Sequence, residues 1–158
     1  MKKRRINRDY LNSILSIDVK NTKLTAEEVA ITLSEFAKEH LKGVLTVEVS
    51  GYSRGDVSLK FPVFSYLIRL LCEEVEDEPV KCSVNLGEEL VIETSYPKIN
   101  DMYKTSHLIK VAKLAGFKVD RVGDVLIFKA KADRSAIMQV YATSHDELMR
   151  LLVTTYNM

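Results

Sequence analysis

The chain has 158 residues, 46% of them hydrophobic and 28% charged, which suits one folded domain with a real core. Lysine and arginine total 23 against 22 for aspartate and glutamate, so the net charge of +1 leaves no broad basic face for gripping a polyanion. No apolar run approaches the roughly 18 residues that a membrane span needs, and no apolar signal core follows the basic start.

The first eight residues are the local exception. Lys2, Lys3, Arg4, Arg5 and Arg8 cluster there, a pattern that suits nucleic acid or anionic lipid. Beyond it 18 basic residues face 22 acidic ones, so no basic groove continues the contact and the cluster reads as a solvated arm. Residues 1–24 are therefore an arm and lead-in, and residues 25–158 one domain.

Thr25-x-x-Glu28 is a capping box that opens the first helix. Val29, Leu33, Phe36, Ala37 and Leu41 recur at helical spacing, and Gly43 supplies a stop. Leu45, Val47 and Val49 then alternate with Thr46, Glu48 and Ser50 as a half-buried strand. A second helix starts near Pro62 and presents Phe64, Leu67, Ile68, Leu71, Cys72 and Val75 on one face. Glu73, Glu74, Glu76, Asp77 and Glu78 crowd its C-terminal end, where the helix dipole disfavours negative charge.

From Val80 the period switches to two. Val80, Cys82 and Val84, a turn at Gly87, then Leu90, Ile92 and Thr94 predict a hairpin. A third helix is expected from about Thr105 to Ala115, with Leu108, Ile109, Ala112 and Ala115 inward and Gly116 as its end. A second hairpin turns at Gly123-Asp124, a further strand is expected at Ile137 to Tyr141, and Ser144-x-x-Glu147 caps a closing helix. This order predicts an α/β two-layer sandwich, a mixed and mostly antiparallel sheet covered on one face by helices. Cys72 and Cys82 form no CxxC pair and no zinc set, and read as reduced, buried thiols of a cytoplasmic protein.

The stretch Phe61-Pro-Val-Phe-Ser-Tyr-Leu-Ile-Arg-Leu-Leu-Cys-Glu-Glu-Val75 resembles the N-box helix of the histidine-kinase-like ATPase domains, the Bergerat fold. Leu108-Ile-Lys-Val-Ala-Lys-Leu-Ala-Gly-Phe-Lys-Val119 is similar to a later helix and strand of that family. The resemblance spans roughly Thr25 to Lys131, and the stretch beyond Ala132 exceeds a minimal domain of that kind.

The resemblance implies a nucleotide site, and its residues can be sought singly. The magnesium-holding asparagine falls on Glu73, with Arg69 one turn earlier, so a helical ion pair is a cheaper reading of Glu73 than a cation site. The adenine-reading aspartate falls on Ser95, in Ser95-Tyr96-Pro97-Lys98-Ile99, where Pro97 and Ile99 replace the glycines that let backbone approach a ligand. Few residues separate Tyr96 from the third helix, none of them glycine, so no lid can cradle phosphates. Glu73 and Ser95 are thus a vestigial nucleotide site. No ATP, magnesium or other cofactor is expected.

No catalytic set stands out either. His40, His107 and His145 lie on separate segments, with His107 expected at the surface, and no nucleophile elbow occurs. Tyr96, Tyr103 and Phe117 read as rim packing. The expectation is a regulatory module that docks a protein partner, with a homodimer as one form of that. Weak adenine-nucleotide binding, or nucleic-acid contact through the arm, are the alternatives.

Overall fold

The computed structural model describes residues 22–53, 55–73, 78–132 and 145–157. Strand β1 (Thr22–Thr25) leads directly into helix α1 (Ala26–His40). The Thr25 hydroxyl accepts from the Glu28 amide at 3.0 Å, so the predicted cap forms. Val29, Leu33, Phe36, Ala37 and Leu41 are all buried, as their spacing requires.

Strand β2 (Leu45–Gly51) follows, then β3 (Asp56–Leu59), which pairs antiparallel with β1 as a separate two-stranded ribbon. Strand β1 thus begins inside the predicted lead-in. Helix α2 (Phe61–Cys72) has Pro62 in its first turn. It ends three residues before the predicted Val75, because Glu73 turns to extended backbone at φ −72° and ψ 138°. The hairpin of β4 (Val80–Leu86) and β5 (Glu89–Ser95) forms as expected around Gly87.

Helix α3 (Met102–Ala115) starts three residues earlier than predicted because Asp101 caps it, accepting from the Lys104 amide at 3.1 Å. Gly116 ends it at φ 117°, the left-handed stop predicted there. Strands β6 (Lys118–Val122) and β7 (Val125–Lys131) make the second hairpin across Gly123-Asp124, with Gly123 at φ 57°. Helix α4 (His145–Tyr156) packs against α1 and α2. The expected strand at Ile137 to Tyr141, the Ser144 cap and the basic arm lie outside the described residues.

The main sheet runs β2-β4-β5-β7-β6. Only β2 and β4 are parallel, so the sheet is mixed and mostly antiparallel, as predicted. One face carries Cys82, Val84, Leu90, Ile92, Thr94, Leu126 and Phe128, all buried under the helices. Ser83, Asn85, Glu93 and Ser95 stand exposed on the other. Strand β2 is weaker than its alternation suggests: Leu45 is buried, whereas Val49 is exposed near the open edge.

Helix α2 lies between the sheet, α3 and α4, and every residue except Pro62 is buried. Burial extends to Ser65, Tyr66 and Arg69, which a one-faced helix would have shown to solvent. Phe117 packs in the core between Phe64 and Phe128, at centroid distances of 5.8 and 6.1 Å. It is core rather than rim.

Candidate functional site

Three segments converge where α2 ends. The first is the end of α2 itself, with Leu70 and then Glu73. The second is the turn after β5, where the Ile99 amide donates to the Tyr96 carbonyl at 3.1 Å and that of Asp101 to the Lys98 carbonyl at 2.9 Å. Tyr96 and Ile99 are buried in this turn. The third is the start of α3, tied to the turn by the Thr105 hydroxyl, which donates to the Ile99 carbonyl at 2.8 Å.

Between these segments is a cleft of about 160 Å³. Leu70, Leu108, Tyr96 and Tyr103 form its apolar walls, and Glu73, Lys104 and His107 supply its polar atoms. Tyr96 is almost wholly buried, whereas Tyr103 is 88% exposed at the mouth.

Burial dominates the electrostatics. It lifts the Glu73 carboxyl above its ordinary range, while the positive charges of Arg69 and Lys104 pull the other way. It also pushes the Tyr96 hydroxyl up to about 12, aided by the negative charges of Asp101 and Glu73. Tyr66, one turn before Leu70 on α2, is pushed up to about 12 by burial and then by Glu73, with Arg69 opposing. His107 is lowered by burial and by Lys110, so it is a neutral imidazole at neutral pH. Tyr96 and Tyr66 stay un-ionised near the cleft's one carboxyl. Burial also raises the thiols of Cys72 and Cys82, so both stay protonated.

The raised Glu73 carboxyl makes a prediction about pH. A folded-state pKa above the ordinary 4.5 means the native state holds that proton more tightly than the unfolded chain does. This contribution is fully present below pH 4.5 and is lost as pH rises through the folded value. Glu73→Gln should therefore gain stability relative to wild type as pH rises through that window. Urea midpoints for both proteins across the range measure this, and parallel profiles would disprove it.

The two residues carried over from the resemblance do not meet. Glu73 lines the cleft on the helical side of the sheet. Ser95, between buried Thr94 and buried Tyr96, projects from the opposite, exposed face and pairs in register with Lys81 and Val125. Tyr96 lines the cleft with Glu73, and Ser95 is not among its lining residues. The Arg69 and Glu73 charges do act on each other, though Glu73 lies just past the end of the helix.

Tyr96 and Tyr103, expected as rim packing, are walls of the cleft, and His107, expected on the surface, lies at its side. Leu70, Lys104 and Leu108 join them without any sequence motif to mark them. Among the described residues, no three histidine, cysteine or acidic side chains are grouped to hold a metal. The residues that line this cleft do not fit a nucleoside triphosphate. The cleft is the size of one ring, and none of its lining residues is a glycine.

No family model matches the sequence, and no curated protein is detectably similar to it. Solved structures do share its fold. The cytoplasmic segment of the histidine kinase QseC superposes with a TM-score of 0.51 at 12% identity, covering 85% of this chain and 99% of that one. Likeness at that identity is likeness of fold. Among the described residues, no helix is long and apolar enough to cross a membrane.

Proposed function

We propose that this chain is a non-catalytic binding module: a Bergerat-type, histidine-kinase-like ATPase domain that has given up nucleotide chemistry and regulates by docking a protein partner. The observation that carries this reading is the turn after β5. There Tyr96 and Ile99 are buried, and Pro97 and Ile99 stand where the resemblance would place the glycines that let backbone approach a ligand. The fold shared with a histidine kinase segment supports the ancestry, and the ring-sized cleft supports the loss.

The test is thermal unfolding with magnesium and ATP. A ligand at about one hundred times its Kd adds roughly 2.7 kcal/mol to stability. We expect no change in Tm at low-millimolar ATP. A rise of several degrees would replace this reading with a weak adenine-nucleotide-binding domain.

A further inference from the structure

The cleft at the end of α2 has the form of a small-molecule site. We propose that it holds one neutral molecule of the phenol class, a single aromatic ring carrying a hydroxyl. This inference goes beyond protein docking and does not depend on it.

The walls are pre-formed. Tyr103 and His107, and beside them Lys104 and Leu108, stand one helical turn apart and so share one side of α3. Leu70 and, just past the helix end, Glu73 face them from α2. Tyr96 is set by its turn, which the Thr105 hydroxyl ties to α3 through the Ile99 carbonyl at 2.8 Å. Leu70, Leu108 and Tyr96 are each almost wholly buried, so the packing behind them keeps them from moving in to close the space. A pre-formed, mostly apolar hollow with a few placed polar groups is the usual form of a ligand site.

Size and walls select the ring. An engineered cavity of about 150 Å³ lined by apolar side chains holds one benzene ring, and this cleft of about 160 Å³ matches it. Leu70 and Leu108 supply aliphatic surface, and the rings of Tyr96 and Tyr103 pack offset or edge to face against an incoming ring.

The polar groups select a neutral hydroxyl. Glu73 and Lys104 are the two charged side chains of the cleft, opposite in sign, and the Lys104 ammonium already acts on the Glu73 carboxyl. His107 adds no charge at neutral pH. An ionic ligand would upset this balance, and the acidic run that begins at Glu73 opposes an anion in particular. A phenolic hydroxyl leaves the balance intact. It donates to a Glu73 carboxyl oxygen, which accepts whether or not the group is ionised, and so supplies a hydrogen bond in place of water lost to burial.

The probe is p-cresol, titrated into the full chain at neutral pH. Calorimetry reads its affinity, and the methyl resonances of Leu70 and Leu108 report its location. Saturable binding with a Kd below about 1 mM that moves those methyls is expected, which is within reach of so small a ligand. Toluene, which lacks the hydroxyl, should bind roughly tenfold more weakly. In Glu73→Leu, with its fold checked by melting, the two compounds should bind alike. Tyr103→Ala should weaken both, and at 88% exposure that side chain is too open to matter for folding.

Four results would overturn the proposal. They are no methyl shifts at millimolar p-cresol, toluene binding the wild type as tightly as p-cresol, tyramine or 4-hydroxybenzoate binding more tightly than p-cresol, and adenine displacing p-cresol at equal concentration. The second would make the cleft a plain apolar hollow, the third a site for ions, and the fourth a remnant of a nucleotide site.

Discussion

Leu71→Ala should lower the stability of the fold by about 2–5 kcal/mol, the range found when a buried leucine is truncated and its surroundings only partly collapse. Leu71 is 1% exposed on a helix enclosed by the sheet, α3 and α4. With packed elements on several sides, no single one can move in to fill the void, which places the cost toward the upper part of the range. Ile31 on α1 is 49% exposed and serves as the control, since its truncation should change stability by no more than about 0.5 kcal/mol. Urea denaturation of both variants decides the matter. A Leu71→Ala cost below roughly 1 kcal/mol would mean that α2 is not enclosed as described.

Gly51→Ala should be comparably damaging for a different reason. Gly51 ends β2 at φ 82°, a region where an L side chain costs about 1–2 kcal/mol. A methyl group built there would also run into the backbone carbonyl of Leu86, its register partner on β4. Backbone cannot swing aside as a side chain would, so overpacking adds roughly 1–3 kcal/mol more. Gly43 separates the two terms, because its φ is 79° and nothing lies within 4 Å of the position its methyl would take. Gly43→Ala should therefore show the conformational cost alone. Equal midpoints for the two variants would show that β2 and β4 do not approach as closely as their pairing implies.

Much of this architecture was legible from residue patterns. Helical spacing from Val29 to Leu41, the caps at Thr25 and Gly116, and the glycine turns of the two hairpins all form as read. These signals are local, and each has its own physical cause. The β1–β3 ribbon was not legible, since four-residue strands carry too little periodicity to separate from a loop. Nor was the enclosure of α2. Ser65, Tyr66 and Arg69 look like a solvent face until α3 and α4 are folded over it.

The candidate site divides in the same way. Glu73 stood out as a carboxylate at the wrong end of a helix, and it does line the cleft. Ser95 was sought as its companion, yet strand parity already opposed that pairing. With Leu90, Ile92 and Thr94 facing inward, position 95 must face outward. The remaining lining residues, Tyr103, Lys104, His107 and Leu108, come together with Glu73 only because α3 folds back against α2. No spacing along the chain announces that approach.

The place of α4 in the chain bears on how the protein is made. Leu148 and Leu152 are fully buried, and Tyr156 meets Phe36 of α1 edge-on at 6.1 Å, so the core has no finished boundary until this segment arrives. Everything it covers is synthesised first. The flanks of α1 and α2 that it covers lie far earlier in the sequence. A chain cut before α4 would accordingly leave these flanks of α1 and α2 uncovered.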